Sequence, residues 1–233
     1  MKKVEGLKFL MDNFPQETVS TLFIDDVLDL DKFDMSLNNG EFYRVRCANK
    51  NGSELKLPMI SIYDFDTLKE YIKIQKQQNN DFNFIIHKVD NNYFYPNFCG
   101  TIATYVNSNI PGIVIDIQRV TKEMIDLMDT SKVRPRDWEV CVSYKYDFMY
   151  KIPFVINYGN VNLELLKEPI NKAFYIGSYI YDWYVTNDIY EDSYTRFNIY
   201  KDCSIILNDH RSTESFINNN KKDGKVLRYG KRY

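Results

Sequence analysis

The order of periodic segments along the chain is the feature that most restricts its fold. Alternating apolar and polar residues predict strands, and apolar residues three and four positions apart predict helices. Their order is helix, strands, helix, a run of strands, helix, strand, helix and hairpin. This differs from the regular strand–helix alternation of parallel α/β folds. It predicts an α+β protein with largely antiparallel sheets in a two-lobed arrangement.

The predicted elements have clear patterns of side chains. The strands alternate and are rich in β-branched and aromatic residues, and they cover residues 21–24, 41–47, 59–63, 82–89, 99–106, 113–117, 138–146, 194–200 and 203–207. The helices carry an apolar stripe, and they cover residues 5–13, a segment that Asp64 or Asp66 begins, a segment that Thr121 begins, and residues 163–180. Pro169 is expected to kink or restart the last helix.

The chain length of 233 residues suits one large domain or two small lobes. No linker of low complexity and no repeat interrupts it, so residues 1–214 are predicted to form one domain with lobes at 1–80 and 81–214. Residues 215–233 are predicted to be a basic tail, in which Asp223 alone opposes the lysines and arginines. The tail is expected to be solvated, and the alternative is an arm that contacts phosphate.

Charge and hydropathy limit the classes of partner. No stretch approaches the roughly 18 continuous apolar residues of a membrane helix, and the charged N-terminus lacks the apolar core of a signal peptide. A cytoplasmic protein without a membrane partner is therefore expected. The net charge of −2 gives no general attraction to nucleic acid. The aromatic content of 15% is typical of an AT-rich genome, such as a low-GC bacterium or its phage. A base-stacking surface, and with it a nucleic-acid-associated protein, is the alternative.

Common catalytic motifs are missing from the sequence. There is no GxxxxGK[ST], GxGxxG, HExxH or GxSxG motif, and nine glycines leave little room for a glycine-rich phosphate loop. His87 and His210 are the only imidazoles, and the four cysteines lie far apart without a CxxC pair. A zinc site is therefore not predicted, and the thiols are expected to be buried and reduced.

Two arginines on one predicted strand are candidates for binding phosphate. Arg44 and Arg46 are two positions apart, so their side chains leave the strand on the same side. Guanidinium groups bind phosphate oxygens through paired, charge-assisted hydrogen bonds. The alternative is that both arginines are surface partners of Glu41, Glu54 or Asp64.

Further polar residues lie on other predicted strands. His87 and Lys88 lie near the end of the strand over 82–89, and Asp116 and Gln118 share one side of their strand. These residues suit contacts to a polar ligand. The alternative is that each pair belongs to an exposed strand surface.

Segments over most of the chain match, in order, the pattern of one known family. They are residues 6–24, 43–48, 57–74, 84–89, 99–104, 113–117, 131–138, 163–180 and the closing hairpin. Residues 43–48 are similar to the family's VRSS strand, and residues 84–89 to its VVVQxMV hinge strand. The pattern resembles the ATP-binding domain of phosphoenolpyruvate synthase and pyruvate phosphate dikinase, within the ATP-grasp superfamily.

The resemblance implies an ATP-grasp-like, nucleotide-binding protein. Its implied cofactors are ATP and Mg²⁺. The nucleotide-binding positions that it implies are Arg44, Arg46, His87, Lys88, Asp116 and Gln118. The catalytic positions that it implies are Arg46 and Arg211, and the metal-binding positions are Asn208 and Asp209. The implied activity is that of an ATP-dependent ligase or phosphotransferase with a second substrate or protein partner that the sequence does not specify.

One position departs from the family pattern in a way that affects catalysis. Arg196 falls where the family has a metal-binding Glu in the strand before last. Magnesium needs hard, anionic oxygen ligands, which a guanidinium group does not supply. The alternative hypothesis is therefore a non-catalytic module of the same fold that binds a protein or another phosphate ligand.

Overall fold

The computed structural model describes residues 1–49, 60–90, 95–123, 140–159 and 161–212. The chain divides into two compact units, the first formed by Lys3–Pro96 and the second by Met1–Lys2 with the residues from Asn97 onward. The structure thus places residues 81–96, which were predicted in the second lobe, with the first unit. The body of the helix predicted after Thr121 and the basic tail lie outside the described residues.

The first unit contains a four-stranded antiparallel sheet, here called the small sheet. Its elements are α1 (Lys3–Asn13), β1 (Thr21–Ile24), a 3-10 helix (Val27–Lys32), β2 (Glu41–Asn49), β3 (Ile60–Ile62), α2 (Phe65–Gln78) and β4 (Phe82–Asp90). The strand order is β1-β4-β2-β3, and each neighbouring pair is antiparallel. Every element predicted in this part of the chain is present, with ends shifted by a few residues.

Strand alternation gives the small sheet two different faces. Tyr43 and Ile86 point to one face and form a core with Leu68 of α2. Ile85 points to the opposite face, where it packs with Leu7 of α1. Because successive side chains leave a strand on opposite sides, every residue of β2 and β4 can be assigned to one of these faces.

The second unit contains a six-stranded antiparallel sheet, here called the large sheet. Its elements are β5 (Phe98–Tyr105), β6 (Gly112–Arg119), β7 (Val140–Asp147), β8 (Ile152–Asn157), a 3-10 helix (Leu163–Leu166), α3 (Lys167–Thr186), β9 (Ser193–Ile199) and β10 (Ile205–Ser212). The strand order is β10-β9-β5-β6-β7-β8. The two sheets confirm the predicted α+β class with largely antiparallel sheets. Among the described helices, none combines the length and apolar character that crossing a membrane requires.

Helix α3 packs closely on one face of the large sheet. A Cβ added at Gly177 would lie 2.9 Å from Cγ2 of Ile102 on β5 and 3.1 Å from Cγ2 of Ile113 on β6. The absence of a side chain at Gly177 therefore permits the short distance between helix and sheet. Pro169 lies in the first turn of α3, directly after the 3-10 helix. Since a first-turn proline sacrifices no helical hydrogen bond, it restarts the helix there and does not kink its middle.

A hydrogen-bonded histidine lies in the core beneath α3. His210 on β10 is fully buried, and its Nδ1 lies 2.8 Å from Oγ1 of Thr195. Its Nε2 lies 3.3 Å from the hydroxyl of Tyr184 on α3. Burial lowers the pKa of His210 to about 4, with the nearby charge of Asp209 acting in the opposite direction. The imidazole is therefore neutral at pH 7 and connects β10, β9 and α3.

We expect His210 to make folding stability fall in mild acid. Below the ordinary pKa of 6.5 the unfolded chain binds a proton at His210, whereas the folded chain does so only near pH 4. Stability from this site is thus complete above pH 6.5 and decreases as pH falls towards 4, by an amount on the order of 3 kcal/mol. Urea unfolding between these pH values measures the slope, which His210→Gln should reduce.

Thr195→Val is the matched control, because it removes one partner of the imidazole and keeps His210 buried. It should lower stability at every pH and retain most of the pH dependence. An unchanged slope in His210→Gln would show that other groups cause the acid sensitivity.

Candidate functional site

The face of the large sheet opposite α3 carries a row of polar side chains across five strands, here called the polar row. Strand pairing places Asp209 beside Arg196, Arg196 beside Thr101, Thr101 beside Asp116, and Asp116 beside Ser143. Neighbouring strands are about 4.8 Å apart, so each member of the row can reach the next. The row thus contains three charged side chains and two hydroxyl groups on one face of the sheet.

Asp116 lies at one side of the polar row in a partly buried position. The Ser143 hydroxyl donates a hydrogen bond to its Oδ1 at 2.7 Å. Burial raises the pKa of the Asp116 carboxyl, while the Ser143 hydrogen bond and the charge of Lys145 oppose that rise. Gln118 shares this face, and its Oε1 accepts a hydrogen bond from the Cys99 thiol at 3.4 Å. The structure therefore brings Asp116 and Gln118 together on one surface.

A β-bulge places Asp209 in the polar row. The register shifts between Leu207 and Asp209, so that Leu207 pairs with Phe197 and Asp209 pairs with Arg196. Regular alternation would put both residues on one face, and the extra residue reverses the direction of those that follow. Asn208 is that extra residue, and its buried Oδ1 has no hydrogen-bond partner among the described residues.

Arg211 neutralises Asp209 through a buried bidentate ion pair. Its Nε donates to Oδ1 at 2.9 Å, and its Nη2 donates to Oδ2 at 2.7 Å. The two side chains are only 5% and 6% exposed. The Tyr194 hydroxyl also donates to Oδ2, at 3.4 Å. Both oxygens of the carboxylate are therefore already used.

The residues of the polar row do not fit the magnesium ion that the resemblance implies. Asn208 and Asp209 were the predicted ligands, and Asp209 directs both oxygens to Arg211. The neighbour of Asp209 on β9 is the cation Arg196. Over the described part of the chain, no three acidic, His or Cys side chains are grouped as a metal site requires. Magnesium prefers several anionic oxygens in octahedral geometry, which this arrangement does not offer.

Three of the other predicted ligand-binding residues lie on the face of the small sheet that packs with α1. Arg44 pairs with His87, and its Nη1 donates to the Ser61 hydroxyl at 3.4 Å. His87 Nδ1 lies 2.8 Å from Oγ1 of Thr21. Arg46 follows two positions along β2 and therefore has the same orientation as Arg44. The structure thus places Arg44, Arg46 and His87 on one face.

Lys88 lies on the opposite face of the small sheet from these residues. It pairs with Tyr43, which belongs to the core beneath α2. Its ammonium is 3.9 Å from the Glu41 carboxylate. Glu41 is therefore on the Lys88 side, and Asp64 caps α2 by accepting from the Thr67 amide at 2.8 Å. Two of the acidic residues considered as partners of the arginines are thus engaged elsewhere, and the third lies outside the described residues.

Comparison with known proteins identifies the fold. No family model matches the sequence, and no curated protein matches it. D-alanyl-alanine synthetase A from Vibrio cholerae matches with a TM-score of 0.50 and 11% identity, over 88% of this chain and 52% of that one. At such low identity this similarity shows the fold alone, which is of the ATP-grasp type.

Two further solved structures match at lower TM-scores. L-amino acid ligase from Bacillus licheniformis has a TM-score of 0.43 and 10% identity, over 91% of this chain and 43% of that one. Carboxyaminoimidazole ribonucleotide synthase from Aspergillus clavatus, complexed with ATP, has a TM-score of 0.42 and 9% identity, over 88% and 42%. This chain spans about half the length of these proteins or less.

We expect the Arg211–Asp209 pair to be essential for stability. Arg211→Met leaves a buried carboxylate without its partner and should lower the free energy of unfolding by about 3–5 kcal/mol. The double variant Asp209→Leu/Arg211→Met removes both charges and should recover most of that loss. Urea unfolding of the three proteins at pH 7 provides the measurement.

Lys32→Met is the matched control, because the Lys32–Asp29 pair is short, at 2.6 Å, but lies on the surface. Its removal should change stability little. Equal effects of Arg211→Met and Lys32→Met would contradict a special role for the buried pair.

Proposed function

We propose that this chain binds ATP or a related nucleoside polyphosphate through guanidinium groups, without a requirement for Mg²⁺. The observation that carries the proposal is the polar row, in which Arg211 closes the Asp209 carboxylate and Arg196 lies beside it. A polyphosphate brings several negative charges that must be neutralised. Arginine does so with oriented N–H donors, whereas magnesium would need free carboxylates.

Arg196 is the proposed phosphate ligand in the polar row. Its guanidinium lies 5.9 Å from the ring centre of Tyr194, which supports the side chain from one side. The residue is partly exposed, and it forms no ion pair with another described residue. Its donors are therefore available to an anion. Asp116, two strands away, is positioned to accept hydrogen bonds from a ribose or a base.

The small sheet offers a second set of cationic and polar groups. Arg44, Arg46 and His87 lie on one face, and the resemblance to the ATP-grasp superfamily implies that this strand pair contacts nucleotide. We assign Arg46 to phosphate, because it is partly exposed and projects from the same face as Arg44. Arg44 is held by Ser61 and completes the positive surface.

An ATP-dependent ligase or phosphotransferase is the second candidate function. It is favoured by the fold shared with D-alanyl-alanine synthetase A and by the sequence resemblance to the ATP-binding domain of phosphoenolpyruvate synthase and pyruvate phosphate dikinase. A second substrate or a protein partner would then complete the reaction. The two functions differ in one property, since the ligase requires magnesium and the proposed binder does not.

We expect ATP to stabilise the protein equally with and without magnesium. Thermal unfolding with ATP, ADP, AMP and GTP, each with Mg²⁺ or with EDTA, provides the measurement. A ligand at about 100 times its dissociation constant adds about 2.7 kcal/mol to the stability. Arg196→Ala should weaken ATP binding about tenfold or more, because a charge-assisted hydrogen bond is lost.

Arg119→Ala is the matched control, because Arg119 is an exposed arginine at the end of β6 in the same unit. Arg119→Ala should leave ATP affinity unchanged. Arg46→Ala tests the proposed phosphate contact on the small sheet and should weaken ATP binding. A shift that appears only with magnesium, together with release of ADP, would support the ligase. No shift with any nucleotide would overturn the proposal.

A further inference from the structure

The first unit contains a pocket that the proposed nucleotide contacts do not use. It has a volume of about 150 Å³ and lies on the side of the small sheet that carries Lys88 and Tyr43. Leu22 of β1, Ile86 of β4 and Phe33 contribute apolar side chains to its lining. Arg44, Arg46 and His87 are on the other face of the same sheet, so the two surfaces are separate.

Two opposite charges line the pocket without neutralising each other. Lys88 and Asp34 are both in the lining, and no ion pair joins them. The nearest carboxylate to the Lys88 ammonium is that of Glu41, at 3.9 Å, which is long for a hydrogen bond. Lys88 can therefore direct its donors to another anionic group.

Asp34 is held in place as a carboxylate. Its Oδ1 accepts hydrogen bonds from the Ser36 amide at 2.9 Å and from the Ser36 hydroxyl at 2.7 Å. These bonds, more than the charge of Lys88, keep the pKa of Asp34 below its usual value. The second oxygen has no described partner, so it is available to a hydrogen-bond donor in the pocket.

Two other polar groups at the pocket are already engaged. The Tyr43 hydroxyl donates to the carbonyl oxygen of Met35. The Ser20 carbonyl accepts from the Lys88 amide at 3.3 Å. The charged groups that the lining offers are thus the Lys88 ammonium, which Glu41 approaches only at 3.9 Å, and one carboxylate oxygen of Asp34.

We propose that this pocket binds a small zwitterion, namely an α-amino acid of about the size of alanine or serine. Its carboxylate would contact the Lys88 ammonium, its ammonium would contact Asp34, and its side chain would lie against Leu22 and Ile86. A cavity of this volume is known to hold a molecule of about six heavy atoms. A simple anion would pair with Lys88 but be opposed by Asp34, and a simple cation would pair with Asp34 but be opposed by Lys88, whereas a zwitterion satisfies both groups.

Ligand-observed NMR titration of the full chain tests the proposal with L-alanine, L-serine and glycine. Acetate and methylammonium serve as probes that carry only one of the two charges. We expect L-alanine and L-serine to bind with millimolar affinity, and acetate and methylammonium to bind at least about tenfold more weakly. Lys88→Met and Asp34→Asn should each weaken L-alanine binding about tenfold or more.

Lys73→Met is the matched control, because Lys73 is an exposed lysine on α2 in the same unit. It should bind L-alanine as the unaltered protein does. The proposal is overturned if no amino acid binds below about 10 mM, if acetate binds as tightly as L-alanine, or if Lys88→Met retains the affinity. Thermal unfolding of each variant shows whether a loss of binding reflects loss of folding. The proposal does not depend on nucleotide binding, which the ATP titrations test separately.

Discussion

The buried ion pair between Arg211 and Asp209 sets the charge that the polar row of the large sheet presents. Removing two charges from water is costly, and the cost is offset only when geometry and hydrogen bonding are good. The bidentate contact meets that condition, with both oxygens of Asp209 engaged and further support from Tyr194. An ion that needed Asp209 would have to break this pair and leave Arg211 buried without its partner. The pair therefore makes Asp209 a poor ligand for magnesium.

In both sheets, the alternation of side chains along each strand places core residues and polar candidate residues on different faces. In the large sheet, residues such as Ile102 face α3, and their neighbours in the strand form the polar row. In the small sheet, His87 and Lys88 are adjacent in sequence but belong to different surfaces. A set of candidate residues chosen from sequence proximity can therefore describe two sites. The structure assigns His87 to the arginine face and Lys88 to the pocket.

The strands that have one buried and one exposed side were predicted well from the sequence. Their apolar and polar residues alternate, and this alternation indicates which side is buried. Strand β8 was missed, since its residues are mostly exposed on both sides and include Pro153, so no alternation marks it. The bulge at Asn208 was also missed, because one extra residue in a strand has no sequence signature of its own. That bulge places Asp209 beside Arg196. The pairing of these two residues depends on the strand register, which the periodicity of the sequence does not show.

The proposed exchange of a metal for guanidinium groups has a definite consequence for chemistry. A magnesium ion both attracts polyphosphate and coordinates several oxygens at once, which orients the groups that react. Arg196 can attract a polyphosphate and donate hydrogen bonds to it, but a guanidinium group does not coordinate several oxygen atoms as a metal ion does. Binding energy can therefore be retained on this fold while metal-dependent group transfer is lost. His210, on the opposite face of β10 from Asp209, is engaged with Tyr184 and Thr195 and adds no ligand to the polar row.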